Sequence, residues 1–121
     1  SLNDADLKEL GFVKSSGEIV VNLSKMAQDS GLAGVVASPA DVSAIRRVCG
    51  PEFIIVTPGI RGTEKINGDD QKRTLSPQDA IKEGADYIVV GRPIRTASDP
   101  VQEADAIVKA MAEGMALRRV S

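Results

Sequence analysis

The stretch FIIVTPGIRGTEKINGDDQKRTLSPQDAIKEGADYIVVGRPI, residues 53–94, decides the fold. Its flanks, FIIVT (53–57) and YIVVG (87–91), are short, β-branched and apolar throughout, with no in-out alternation. That pattern suits strands of a parallel sheet covered on both faces. Between them the chain becomes polar and lands on Ser76-Pro77, a capping hydroxyl before a proline at the first helical position. A short helix over 77–84 follows, stopped by Gly84. Strand, helix, strand in this order is a βαβ unit with a right-handed crossover.

Working outward, the same grammar repeats. GVVAS (34–38) reads as a further buried strand. Ser38-Pro39 and Asp99-Pro100 open helices as Ser76-Pro77 does, with Asp41, Asp79 and Gln102 at the third helical position. Residues 18–29 place Ile19, Val20, Leu23, Met26 and Ala27 on one helical face; residues 40–49 place Val42, Ile45 and Val48 likewise. Residues 100–116 carry Val101, Ala104, Val108, Met111 and Met115 at offsets of three and four. The alternation predicts an α/β fold with a parallel sheet, strands at about 34–38, 53–57 and 87–91.

Three parallel strands do not close a barrel, and an open sheet leaves bare edges. The opening residues SLNDADLKELGF read as a loop and a short helix that would follow a strand. Two expectations stand side by side: a small open α/β domain, or the C-terminal part of a (β/α)8 barrel. In either, residues 1–121 form one unit with no internal domain boundary, as the length allows.

Composition narrows the chemistry. The 121 residues carry a net charge of -2, two Phe, one Tyr and no Trp, so there is neither a basic face nor a stacking platform for nucleic acid. No run of about eighteen apolar residues exists to cross a membrane. A single Cys49 fits a reducing cytoplasm and excludes an internal disulfide. With no His, imidazole bases and most zinc sites are excluded, so no metal is expected. Cys49, at a helix end before Gly50-Pro51, reads as packing. Asp6 and Lys8 lie in the short first helix with no second carboxylate at a useful offset, and read as solvated surface.

Barrel enzymes place function at the C-terminal ends of their strands, often binding phosphate there. The last two strands end in TPGIR and VGRPI, each delivering an arginine beside a glycine. Arg61 and Arg92 offer planar forks suited to phosphate oxygens, and Gly59 and Gly91 allow close backbone approach. The alternative is two exposed arginines in surface ion pairs. Gln71, in the excursion between these strands, has an amide that can donate to a phosphate; Asn67-Gly68-Asp69-Asp70 is also plain turn composition. A polar excursion of this length is uncommon in a compact domain unless it has a task. Ser38 fits an N-cap and also sits where a substrate would lie.

In combination, VTPGIR (56–61), GDDQKR (68–73), SPQDAIKEGADYIVVGRPI (76–94) and DPVQEADAI (99–107) resemble the bacterial type of orotidine 5'-phosphate decarboxylase. SLNDADLKELGF resembles the segment after that family's fifth strand, and GVVASP its sixth. The resemblance implies a (β/α)8 barrel, usually a homodimer, converting orotidine 5'-monophosphate to UMP and CO2 without a cofactor in de novo pyrimidine synthesis. It implies that Arg61, Gln71, Gly91 and Arg92 bind the nucleotide, chiefly its phosphate. By the same likeness Ser38 contacts the pyrimidine and Pro58 lies near the base and the departing carboxylate. The family's Asp-x-Lys-x-x-Asp motif and its further lysine do not occur here, so no catalytic residue is assigned and the chain alone is expected to be inactive. Expected partners are the N-terminal half of such a barrel or a second copy. Two other readings remain: a noncatalytic phosphate-binding half-barrel that self-associates, and another phosphate-dependent barrel enzyme, such as a ribulose-phosphate epimerase or sugar-phosphate decarboxylase relative.

Overall fold

The computed structural model describes residues 2–63 and 75–120. Its elements run α1 (Asp4–Glu9), α2 (Ser16–Asp29), β1 (Gly34–Val36), a 3-10 turn (Pro39–Asp41), α3 (Val42–Cys49), β2 (Ile54–Thr57), α4 (Pro77–Glu83), β3 (Tyr87–Ile88), α5 (Arg92–Arg95) and α6 (Pro100–Val120). The three strands form one parallel sheet in the order β1-β2-β3. Gly34 pairs with Ile54, Val36 with Val56, and Val56 with Tyr87.

Period two of the strands sorts the side chains onto two faces. Val35, Ile55, Thr57, Ile88 and Val90 face the helices, where Ile55 joins Val42, Ile45, Phe53, Ile60, Ala80 and Ile81 in the core. The other face carries Val36, Ile54, Tyr87 and Val89, which are 72%, 39%, 61% and 55% exposed. Strands covered on both faces are therefore not what the described residues build. Helices pack on one side only, and β1 and β3 each keep an edge with no strand beside it among the described residues. The uniformly apolar strands match a sheet that needs a second cover.

Helix starts follow the capping grammar. Ser76 Oγ accepts from Asp79 N at 3.1 Å, and Asp99 Oδ1 from Gln102 N at 3.1 Å. Ser38 is the exception: its Oγ accepts from Ala40 N at 3.4 Å, capping the 3-10 turn rather than a regular helix. Asp6 does more than meet solvent, since it forms a reciprocal capping box with Asn3 at the start of α1. Asp4 Oδ1 then accepts from Ser16 N at 2.7 Å, tying α1 to the start of α2.

Two helices turn a different face inward from the one their apolar residues suggest. α2 buries Ser24 and packs Val20, Val21 and Ala27, leaving Leu23 and Met26 exposed. α6 buries Glu103, Ile107 and Gly114, with Met111 against the core, and leaves Val101 and Val108 exposed. In α3, Val42 and Ile45 are buried as expected, but Cys49 rather than Val48 completes the stripe. For α6 the cause is steric: at Gly114 any Cβ would overlap the backbone carbonyl oxygen of Gln78 in α4. The close approach of α4 fixes the rotation of α6, overriding the apolar count. No helix among the described residues is long and apolar enough to cross a membrane.

Candidate functional site

Parallel strands deliver Ser38, Pro58 and Gly91 to the same end of the sheet, because each follows its own strand's C-terminus. After β2, Pro58 and Gly59 are exposed, and Ile60 returns to the core at 4% exposure. Gly59 makes that reversal with φ of +73°, a left-handed conformation that disfavours any residue with a Cβ. Arg61 follows, half-buried, and its backbone N–H donates to Leu75 O at 3.2 Å. That bond closes the neck of the polar excursion, joining its two described stems.

After β3, Val89 N donates to Thr57 O at 3.0 Å, keeping the two strand ends side by side. Gly91 follows, then Arg92 begins the four-residue α5. Gly59, Ile60, Val89, Gly91, Arg92 and Pro93 line an open cleft of about 360 Å³. Gly91 has φ of -112° and ψ of -84°, and a Cβ there would meet nothing within 4 Å. Packing does not demand glycine at this position; what remains is an exposed backbone beside the cleft.

The arginines divide by employment. Arg46 spends its guanidinium on Gly50 O, Phe53 O, Gly84 O and Asp86, and Arg118 reaches Ala85 O and Asp86. Arg61 and Arg92, like the exposed Arg47 and Arg95, have no side-chain hydrogen bond or ion pair among the described residues; what sets Arg92 apart is its place in the strand-end cleft, with Arg61 next to the cleft's Ile60. The surface ion pairs considered as an alternative do not occur among the described residues. A guanidinium fork beside exposed backbone at a strand end can donate to an anion's oxygens. The cleft's described lining contains no carboxylate, lysine or thiol, so it can hold an anion but offers no acid or base.

Of the residues expected at the site, Gly91 and Arg92 share this cleft, and Arg61 directly follows its Ile60 wall. Pro58 and Ser38 lie at the same sheet end without lining it. Ser38 is exposed and its hydroxyl proton has no acceptor among the described residues. Gln71 lies outside the described residues. Cys49 is buried, in keeping with packing.

One pair escaped the sequence reading. Glu103 in α6 is only 7% exposed, and it accepts from Thr63 N at 2.8 Å and sits 2.9 and 3.0 Å from Thr63 Oγ1. The signal available was its phase: Glu103, Ile107, Met111 and Gly114 share one helical face, and a carboxylate inside an inward-facing stripe needs an explanation.

Comparison with known proteins shows the family and the fold. Residues 1–107 match the model of the Orotidine 5'-phosphate decarboxylase / HUMPS family. The orotidine 5'-phosphate decarboxylase of Syntrophus aciditrophicus (strain SB) is 57% identical over 118 residues, covering 98% of this chain and 47% of that protein. That of Ehrlichia canis (strain Jake) is 48% identical over 111 residues, covering 92% and 48%. Among solved structures, orotidine 5'-phosphate decarboxylase from Lactobacillus acidophilus superposes with a TM-score of 0.71 at 36% identity, covering 91% of this chain and 44% of that one. The chain spans about half the length of the curated relatives it matches. The sheet and its one-sided helices are accordingly part of a (β/α)8 barrel, and the bare face is the side that would line the barrel's interior.

Proposed function

The chain belongs to the orotidine 5'-phosphate decarboxylase / HUMPS family, and from that premise we propose that it supplies the phosphate-binding half of an orotidine 5'-phosphate decarboxylase. The observation that carries this is Arg92, exposed and without a partner among the described residues, beside the uncovered backbone of Gly91 in the cleft at the strand ends. Arg61, on the adjoining stem, is its counterpart, and Gln71 is assigned to the same phosphate. Ser38 and Pro58, at the same sheet end, are assigned to the pyrimidine side.

In this reading orotidine 5'-monophosphate loses the bond between its ring carbon and the carboxyl group. CO2 leaves, and a proton takes the electron pair left on carbon, giving UMP. No cofactor takes part. Binding energy from the remote phosphate is used to hold the reacting end in place, which is how a group far from the chemistry raises the rate. The lysine and aspartates that would stabilise the carbanion and deliver the proton belong to the other half of the barrel.

That half is also the proposed cover for Val36, Ile54, Tyr87 and Val89, and for the edges of β1 and β3. The whole assembly would be a cytoplasmic homodimer, with residues 1–121 acting as one unit within it. The bare apolar face favours one second reading, a noncatalytic half-barrel in which another copy of this chain provides the cover.

A decarboxylation assay separates the two. The chain alone should show no turnover. Mixed or co-expressed with the N-terminal half of a close relative, it should give CO2 release and UMP. A chain that pairs only with itself, and stays inactive with the added half, supports the second reading instead.

A further inference from the structure

We infer that Glu103 is a positioning residue that sets the station of the two phosphate-binding arginines, by pinning the stem after β2 against the segment after β3. This rests on the proposed phosphate site and adds to it a residue outside the cleft.

Three segments meet here: the stem after β2, the start of α5 and the first turns of α6. Glu103 projects from the first turns of α6 and is nearly sealed from solvent. Its carboxylate takes the Thr63 backbone N–H at 2.8 Å and the Thr63 hydroxyl at 2.9 Å. Glu103 has no ion pair among the described residues. Gly62 is threaded beside it: a Cβ on Gly62 would lie 3.0 Å from Glu103 Oε1 and 3.0 Å from Pro93 Cβ. Glu103 and Pro93 therefore crowd the same side of Gly62, where a Cβ would project, and the missing side chain lets the stem lie close to both. Arg61 precedes Gly62, and Arg92 precedes Pro93. The close approach of Gly62 to Pro93 brings the two arginine-bearing segments together, and in this inference the Glu103–Thr63 bonds hold that approach.

Burying a carboxylate with a threonine as its hydrogen-bond partner is costly, and a neutral residue of similar size would pack more easily. The energetic return lies in order. Two guanidiniums that must meet one dianion repel each other before it arrives, and an unpinned stem would pay that cost at binding. Holding them in place beforehand reduces the ordering penalty. The contribution therefore appears in the part of the affinity that comes from the phosphate, not in the part that comes from base and sugar.

The test compares UMP with uridine, which lacks the phosphate, on the chain assembled with its completing half. Glu103→Ala should weaken UMP binding by about tenfold or more and leave uridine binding within about twofold. Glu103→Gln, which keeps an acceptor for Thr63 N–H, should recover most of the loss. Thr63→Val is the mild variant: it removes only the hydroxyl, and should weaken UMP selectively with circular dichroism unchanged. Equal losses for UMP and uridine, or no loss for either, overturn the positioning role. Arg92→Ala, run alongside, separates the two claims. If it abolishes the UMP preference while the Glu103 and Thr63 variants do not, only the positioning inference fails. If it leaves that preference intact, the phosphate site itself is wrong.

Discussion

Arg46 Nη2 lies 2.6 Å from Asp86 Oδ2, at the end of the sheet opposite the cleft. The same Asp86 oxygen accepts from Ile55 N at 2.9 Å, and Arg46 also donates to Phe53 O and Gly84 O. One ion pair thus ties α3, the start of β2 and the start of β3. Function sits at one end of such a sheet and stability at the other.

Removing Asp86 leaves the part-buried Arg46 guanidinium without its carboxylate, and removing Arg46 leaves Asp86 with only the longer 3.8 Å ion pair to Arg118. Asp86→Ala or Arg46→Ala is expected to lower unfolding free energy by about 2–4 kcal/mol. Urea denaturation measures it, and the double variant should lose less than the sum of the two.

Gly114 makes an opposite case to ordinary helix propensity. Glycine to alanine inside an exposed helix gains about 1 kcal/mol. Here the new methyl would overlap the Gln78 carbonyl, and overpacking costs about 1–3 kcal/mol. Gly114→Ala should therefore destabilise, seen as a lower urea midpoint.

Gly91 separates packing from binding. A Cβ there meets open space, so Gly91→Ala should leave stability within about 1 kcal/mol. Loss of UMP affinity at unchanged stability would mark close approach of a ligand.

Asp4 gives a pH signature. The hydrogen bond from the Ser16 backbone N–H, with help from the Ser16 hydroxyl, holds its carboxyl below the ordinary 3.8. A lowered folded pKa means the stabilising contribution is present above the unfolded value and fades as pH falls through the folded one. Asp4→Asn should thus be less stable than the parent at neutral pH, with the gap closing in strong acid. Thermal melts from pH 2 to 7 follow it.

How far the residues alone reached depends on what each position answers to. Strand order and parallel pairing were legible because FIIVT, YIVVG and the Ser-Pro and Asp-Pro helix starts are local signals, and Ser76 and Asp99 cap as their sequence suggests. The inward face of α6 was not, because apolar periodicity favours Val101 and Val108 while the fit of Gly114 against Gln78 decides otherwise. Strand coverage was legible only as a demand: an apolar strand reports that a face must be covered, not what covers it, and the cover of the second face lies outside the described residues. At the site, Arg92 and Gly91 were visible as a strand-end pair. Glu103 was not, since its partner Thr63 lies 40 residues earlier and no local pattern joins them.

The phosphate claim itself is met most directly by titrating UMP into the assembled barrel carrying Arg61→Ala, Arg92→Ala or both. Each charge-assisted contact of this kind contributes about 1.5–3 kcal/mol, so each single change should weaken UMP by roughly 10- to 100-fold. Affinity within about twofold of the parent in the double variant would contradict the account.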